Sequence, residues 1–153
     1  FGIPGLSEKN RVLASLHGGL IDKKSADRYN AFRLEGGTFA QETDDLYRPN
    51  YPGALEDETI VSKYLMVNLE YRRELLPFLY LQLRGTFIWA DRSTVIGLNQ
   101  IGFKSDNGQT ASMAVTSGFL WESQLYIEYA WDTGFLRNGK PGSSVTLLWT
   151  KSF

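Results

Sequence analysis

From Lys63 to the end of the chain the apolar residues recur at every second position, and no other feature narrows the possible folds so far. A period of two places successive side chains on opposite faces of a strand, whereas a helix repeats every three to four residues. Leu65, Val67, Leu69 and Tyr71 share one face, and Asn68, Glu70 and Arg72 take the other. Pro77 cannot donate to a ladder and suits a turn or a strand start. Beyond it Leu79, Leu81, Leu83, Phe87 and Trp89 alternate with Tyr80, Gln82, Arg84 and Thr86. Met113, Val115, Phe119 and Trp121 then alternate with Ser112, Ala114, Thr116 and Gly118. A tight turn at Glu122-Ser123 leads into Leu125, Ile127, Tyr129 and Trp131, interleaved with Gln124, Tyr126, Glu128 and Ala130. The last run sets Val145, Leu147, Trp149 and Phe153 against Thr146, Thr150 and Ser152.

The intervening segments read as turns and loops. Asp91 to Gly108 is rich in Gly, Asn and Asp, with a short extra strand at Ile101 to Phe103, and Thr133 to Gly142 is turn-forming. In the first half, Asn10 to Ile21 and Tyr29 to Phe39 read as strands around the turn Asp22-Lys23-Lys24-Ser25, and the acidic stretch Ala40 to Thr59 as a long loop. The expectation is an all-β antiparallel chain of six or seven strands, eight with Ile101 to Phe103, forming one domain over residues 1–153.

Composition removes several function classes. With 16 Lys plus Arg against 17 Asp plus Glu, the net charge of −1 provides no basic field for nucleic acid. The absence of cysteine excludes disulfides, thiolate metal sites and a cysteine nucleophile. No run of about 18 apolar residues marks a transmembrane helix, but a transmembrane barrel needs none. The opening Phe1-Gly2-Ile3-Pro4-Gly5 has neither a basic nor an apolar leader region, which reads as a processed form or a fragment of a longer chain.

Three details favour a bilayer over a water-soluble sandwich. The alternating runs are long enough for a tilted strand to cross a hydrocarbon slab, which takes about 9 to 11 residues. The polar face carries charge: Arg33, Glu35, Glu70, Arg72, Arg84 and Glu128, with Asn68 beside them. Tyr71, Trp89, Trp121, Trp131 and Phe153 stand near strand ends, as in interfacial aromatic girdles. The expectation is therefore a transmembrane antiparallel β-barrel, or the C-terminal arc of a larger one. The seven polar residues would line its lumen, and a sheet edge in hydrocarbon would have to be closed. The alternative is a small soluble β-barrel binding an apolar ligand inside. There Leu81, Leu83, Phe87, Ile127 and Trp149 would converge on the interior.

The order of segments resembles the C-terminal part of the bacterial surface antigen superfamily, which comprises barrel-assembly factors, two-partner secretion transporters and barrels fused to patatin-like phospholipases. The resemblance runs through Leu13 to Gly19 and Phe32-Arg33-Leu34-Glu35-Gly36-Gly37. It is nearest the patatin-fused branch in Tyr71-Arg72-Arg73-Glu74-Leu75, Leu79-Tyr80-Leu81, Gly85-Thr86-Phe87 with Trp89, and Leu125-Tyr126-Ile127-Glu128-Tyr129. It implies a bacterial outer-membrane protein that is not itself an enzyme and needs no cofactor. It also implies an N-terminal soluble part in the parent chain, and recognition by the barrel-assembly machinery through a C-terminal signal of Val145, Leu147, Trp149 and Phe153. Two places depart from the family. Thr38-Phe39-Ala40-Gln41-Glu42 stands where a Val-Arg-Gly-Phe/Tyr loop motif belongs, and Lys151 where the signal carries an apolar residue.

Other candidate sites are weaker. Ser15 and His17, with Glu35, offer a nucleophile, base and acid, but residues two apart on a strand lie about 7 Å from one another, which makes a direct bond between them awkward. Glu42, Asp44, Asp45, Glu56, Asp57 and Glu58 offer oxygen ligands without the spacing of a calcium loop. Gly18-Gly19 and Gly36-Gly37 lack the Lys-Ser/Thr of a phosphate loop and read as bends or close approaches.

Overall fold

The computed structural model describes residues 9–26, 29–36, 49–55, 59–95, 101–118, 123–137 and 139–151. Within them the chain is all-β. It forms one antiparallel sheet from β1 (Asn10–Leu20), β2 (Phe32–Leu34), β3 (Thr59–Leu76), β4 (Leu79–Val95), β5 (Ile101–Gly118), β6 (Ser123–Asp132) and β7 (Gly142–Lys151). Six strands stand abreast in the order β1-β3-β4-β5-β6-β7, and β2 pairs with β3 beyond the end of β1. β1 and β2 thus act as one neighbour of β3, interrupted by the excursion at residues 21–31. The sheet is open, with β1 and β7 as its edges.

The long strands outrun the sequence expectation. β4 and β5 pair without interruption from Leu79↔Ser117 to Val95↔Ile101, so most of Asp91 to Gly108, read as a loop, is a hairpin extension. At about 3.3 Å per residue, the 18 residues of β3 and of β5 span far more than a hydrocarbon layer. At the other end β3 and β4 join through Pro77 and Phe78 alone, and Phe78 has φ 75°, the positive value that the third position of a type II turn requires after a proline. The strand expected over Tyr29 to Phe39 is reduced to three residues, and Thr38 and Phe39 lie outside the described residues. From Glu35 the chain leaves the edge of β3 and bridges in parallel to Asn50.

Burial alternates along every central strand, and it is the polar set that is buried. β3 hides Tyr64, Met66, Asn68 and Glu70 and exposes Leu65, Val67 and Leu69; β6 hides Tyr126, Glu128 and Ala130 and exposes Ile127, Tyr129 and Trp131. The described residues supply no second sheet or helix to cover the hidden face, so the sheet curls around it, helped by segment 49–55 and the turn after β6. One half of the inner face is an apolar cluster that includes Phe32, Leu34, Tyr51, Val61, Met66, Ile88 and Phe135. The backbones approach closely there. A Cβ on Gly19 would sit 2.5 Å from the Phe32 ring and 2.7 Å from that of Tyr64, so only glycine lets the two rings, 5.1 Å apart and edge to face, lie over the edge strand.

Candidate functional site

The other half of the inner face is ionic, and the register of β3 and β4 builds it. Glu70 and Arg84 are direct cross-strand partners, 4% and 8% exposed. Arg84 Nη2 donates to Glu70 Oε2 at 3.1 Å, and Arg72, two residues along β3 and so on the same face, donates through Nε and Nη2 to Oε1 at 3.0 and 2.8 Å. Arg84 Nη1 donates to Asn50 Oδ1 at 2.8 Å, which ties the network to the inner segment. One layer away Thr86 donates to Asn68 at 2.7 Å, and Asn68 donates to Ser15 at 3.2 Å. Glu128 is buried on β6, near enough to Arg84 for the two charges to interact. Two guanidinium groups and two carboxylates make the cluster neutral, the condition under which charge is tolerated away from bulk water.

Gln82 Oε1 and Thr116 Oγ1 line the same half and are buried without a hydrogen-bond partner among the described residues.

Asn68, Glu70, Arg72, Arg84 and Glu128 therefore share the hidden face, but Arg33 lies on the opposite one. In β2 it is Phe32 and Leu34 that are buried, in the apolar cluster, and Arg33 takes the opposite face. The reason is a register shift in β3 between Val61 and Tyr64. Above it the inward residues are odd-numbered, and a slip of one position moves every side chain of the paired strand to the other face. The Glu35 backbone pairs with the inner segment, its N–H donating to Pro49 and its carbonyl accepting from Tyr51.

At the apolar end two loops are knitted together by Asp132. Its Oδ2 accepts from the backbone N–H groups of Gly134 and Leu136 at 2.8 and 3.2 Å, and its Oδ1 accepts from the Tyr51 hydroxyl at 3.1 Å. Burial first, and then the Asp132 carboxylate, hold the Tyr51 phenol well above the usual phenol range. Arg92 reaches the carbonyls of Phe135 and Leu136. The inward fold of Tyr51 was not legible in the sequence; an aromatic-Pro-Gly run inside an acidic loop was its only trace.

Ser15 and His17 do meet, with Nε2 3.0 Å from Oγ, because the exposed edge strand leaves both side chains free to lean together. No carboxylate lies within hydrogen-bonding distance of His17 among the described residues, where no group of three metal-ligating side chains is found either. The acidic residues Glu42, Asp44, Asp45, Glu56, Asp57 and Glu58 lie outside the described residues, as do Trp121 and Phe153. Of the C-terminal set, Val145, Leu147 and Trp149 all project outward from β7 and are 71%, 67% and 69% exposed. No family model, curated protein or solved structure matches the chain.

Proposed function

We propose that the chain is the wall of a β-barrel spanning a bacterial outer membrane, serving as the anchor or the translocation or assembly pore of a surface-antigen-type protein. One observation carries this reading: the faces are inverted relative to a protein that folds in water. Leu69, Ile127, Leu147 and Trp149 are 43% to 69% exposed, while Glu70, Arg84 and Glu128 are at most 8% exposed. In water such a surface forgoes about 25 cal/mol for every Å² of apolar area left uncovered, and a contiguous patch of this kind needs a cover. Acyl chains supply it. The residues that a soluble ligand-binding barrel would gather inside, Leu83, Phe87, Ile127 and Trp149 among them, point the other way.

The ends of the sheet support an orientation. Short turns face the periplasm in such barrels and long extensions face outward, which sets Pro77 and Phe78 inside and the β4–β5 extension outside. The open edges at β1 and β7 must pair with further strands before the wall can sit in hydrocarbon. The resemblance to the surface antigen superfamily offers such strands in a longer parent, together with an N-terminal soluble part. Val145, Leu147 and Trp149 then form the strand face that the barrel-assembly machinery reads.

Because the chain has no cysteine, single-cysteine variants report one position each. Spin labels at Val67 and Leu147 are expected to be reached by dissolved oxygen and shielded from a water-soluble nickel chelate, and a label at Thr116 the reverse. The protein itself is expected to stay with washed membranes until detergent is added. Release into plain buffer sinks the proposal.

A further inference from the structure

At the long end of the sheet, where β3, β4 and β5 outrun the apolar belt, the outer wall carries a depression of about 480 Å³ whose lining includes Leu20, Lys63, Leu65, Trp89 and Ser105. The register puts these on the outward face: Leu20 is paired with Lys63 and Leu65 with Trp89. The floor is apolar, and Trp89 is 56% exposed at the last apolar rung before β4 turns polar.

A cationic pair adjoins the depression, Lys63 from its lining and Lys23 beside it through a shared carboxylate. Asp91, one outward position beyond Trp89, is 1% exposed because two ammonium groups cover it: Lys23 Nζ lies 3.0 Å and Lys63 Nζ 3.3 Å from the same oxygen, Oδ2. Both lysine side chains keep about half their surface open, 50% and 53%. One carboxylate against two ammonium groups leaves this group a net positive charge beside the depression. It also holds the two donors close enough together for a single tetrahedral anion to span them.

We propose that this depression is a binding site for the phosphate-bearing headgroup of an anionic membrane lipid. Ammonium groups bind phosphate as point charges and donate up to three hydrogen bonds each. The Ser105 side adds a hydroxyl at the same height. Indole rings settle at the headgroup level of a bilayer, where Trp89 would stand beside the glycerol region. Leu65 stands on the rung of Trp89, and Val67, Leu16 and Phe87 on the next outward rung continue into the apolar belt, so an acyl chain has a track that a free phosphate ion cannot use. The excursion at residues 21–31 then has a purpose: it brings Lys23 up to the partner that Lys63 already faces.

This inference rests on the bilayer-facing reading, and the experiment keeps the two apart. The full chain is reconstituted into phosphatidylcholine vesicles with and without phosphatidylglycerol, floated on a density gradient, then extracted and weighed by native mass spectrometry. Flotation in both vesicle types is expected, with phosphatidylglycerol retained over phosphatidylcholine by at least tenfold. The double variant Lys23→Gln/Lys63→Gln should float equally well and lose that preference. Lys23→Arg/Lys63→Arg should keep it, which shows that charge rather than folding is at stake. Millimolar inorganic phosphate should not displace the lipid. Equal retention of the two lipids, an unchanged glutamine variant, or displacement by phosphate alone overturns the site while the barrel stands. Failure of the unaltered chain to float overturns both.

Discussion

The inner face of the sheet changes chemistry halfway along, and its two halves are closed by different means. Around Met66, Ile88 and Phe135 it is apolar and filled by the chain's own loops, with Tyr51 reaching from the segment before β3 to Asp132 at the end of β6. Around Glu70, Arg84 and Glu128 it is ionic, with Asn50 tying Arg84 to segment 49–55. One half is filled by apolar side chains and the other is held by ion pairs. If the closed barrel conducts anything, the path skirts the ionic half and the plug sets its width.

The largest test of this contrast is Phe135→Ala. Phe135 is 2% exposed, lies 5.5 Å from the Tyr51 ring and carries the Arg92 guanidinium 5.7 Å above its own. Truncation leaves a cavity between two loops, and the loss expected is about 4 kcal/mol. Urea unfolding in detergent micelles, followed by tryptophan emission, measures it. A loss below about 1 kcal/mol, within the range of ordinary surface substitutions, would show that the loops close over the gap and that the plug is soft.

Glu70→Gln probes the other half. It leaves Arg84 buried with its Asn50 contact but without the carboxylate it faces across the strands, and breaking a buried pair in this way costs about 3 kcal/mol. The double change Glu70→Gln/Arg84→Gln should recover part of that loss, since the Arg84 guanidinium is then no longer left facing a neutral amide, while Glu128 and Arg72 keep the recovery incomplete. The size of the single effect reads the wetness of the lining directly. A fully hydrated lumen would bring it to about 1 kcal/mol or less, the scale of an exposed pair.

How much of this could be read beforehand follows the same division. The strands, their faces and the inward set from Asn68 to Glu128 were legible because the exposed and buried faces carry opposite chemistry on successive residues. Past Trp89 that contrast ends. The residues from Asp91 to Thr94 and from Lys104 to Asn107 are polar on both faces, so the continuous pairing from Asp91↔Ser105 to Val95↔Ile101 carries too short a hydrophobic period and reads mostly as a loop. The place of Arg33 was misread because a shift between Val61 and Tyr64 in the partner strand reverses its face, and a bulge there leaves no mark on residues 32–34. The plug was hidden for a third reason. Tyr51 and Asp132 are 81 positions apart, and only the finished sheet brings them together.

The smallest effect expected separates the two faces with a single methyl group. Gly108 sits on the inner face of β5, where an added Cβ would lie 2.3 Å from Phe135 Cβ and 3.0 Å from the Tyr51 hydroxyl oxygen. Neither neighbour can give way freely: the Phe135 contact is close to its backbone, and the Tyr51 hydroxyl is held by Asp132. Gly108→Ala should therefore cost about 2 kcal/mol through overpacking. Gly85, on the outward face of β4 opposite Leu69 and Ala111, meets nothing within 4 Å of the same added atom. Gly85→Ala should be neutral within about 0.5 kcal/mol, because the methyl group finds room and restricts only the unfolded chain. Equal effects at the two glycines would mean that segment 49–55 does not press on the sheet in solution, and the distinction between a filled and a lined half would fall.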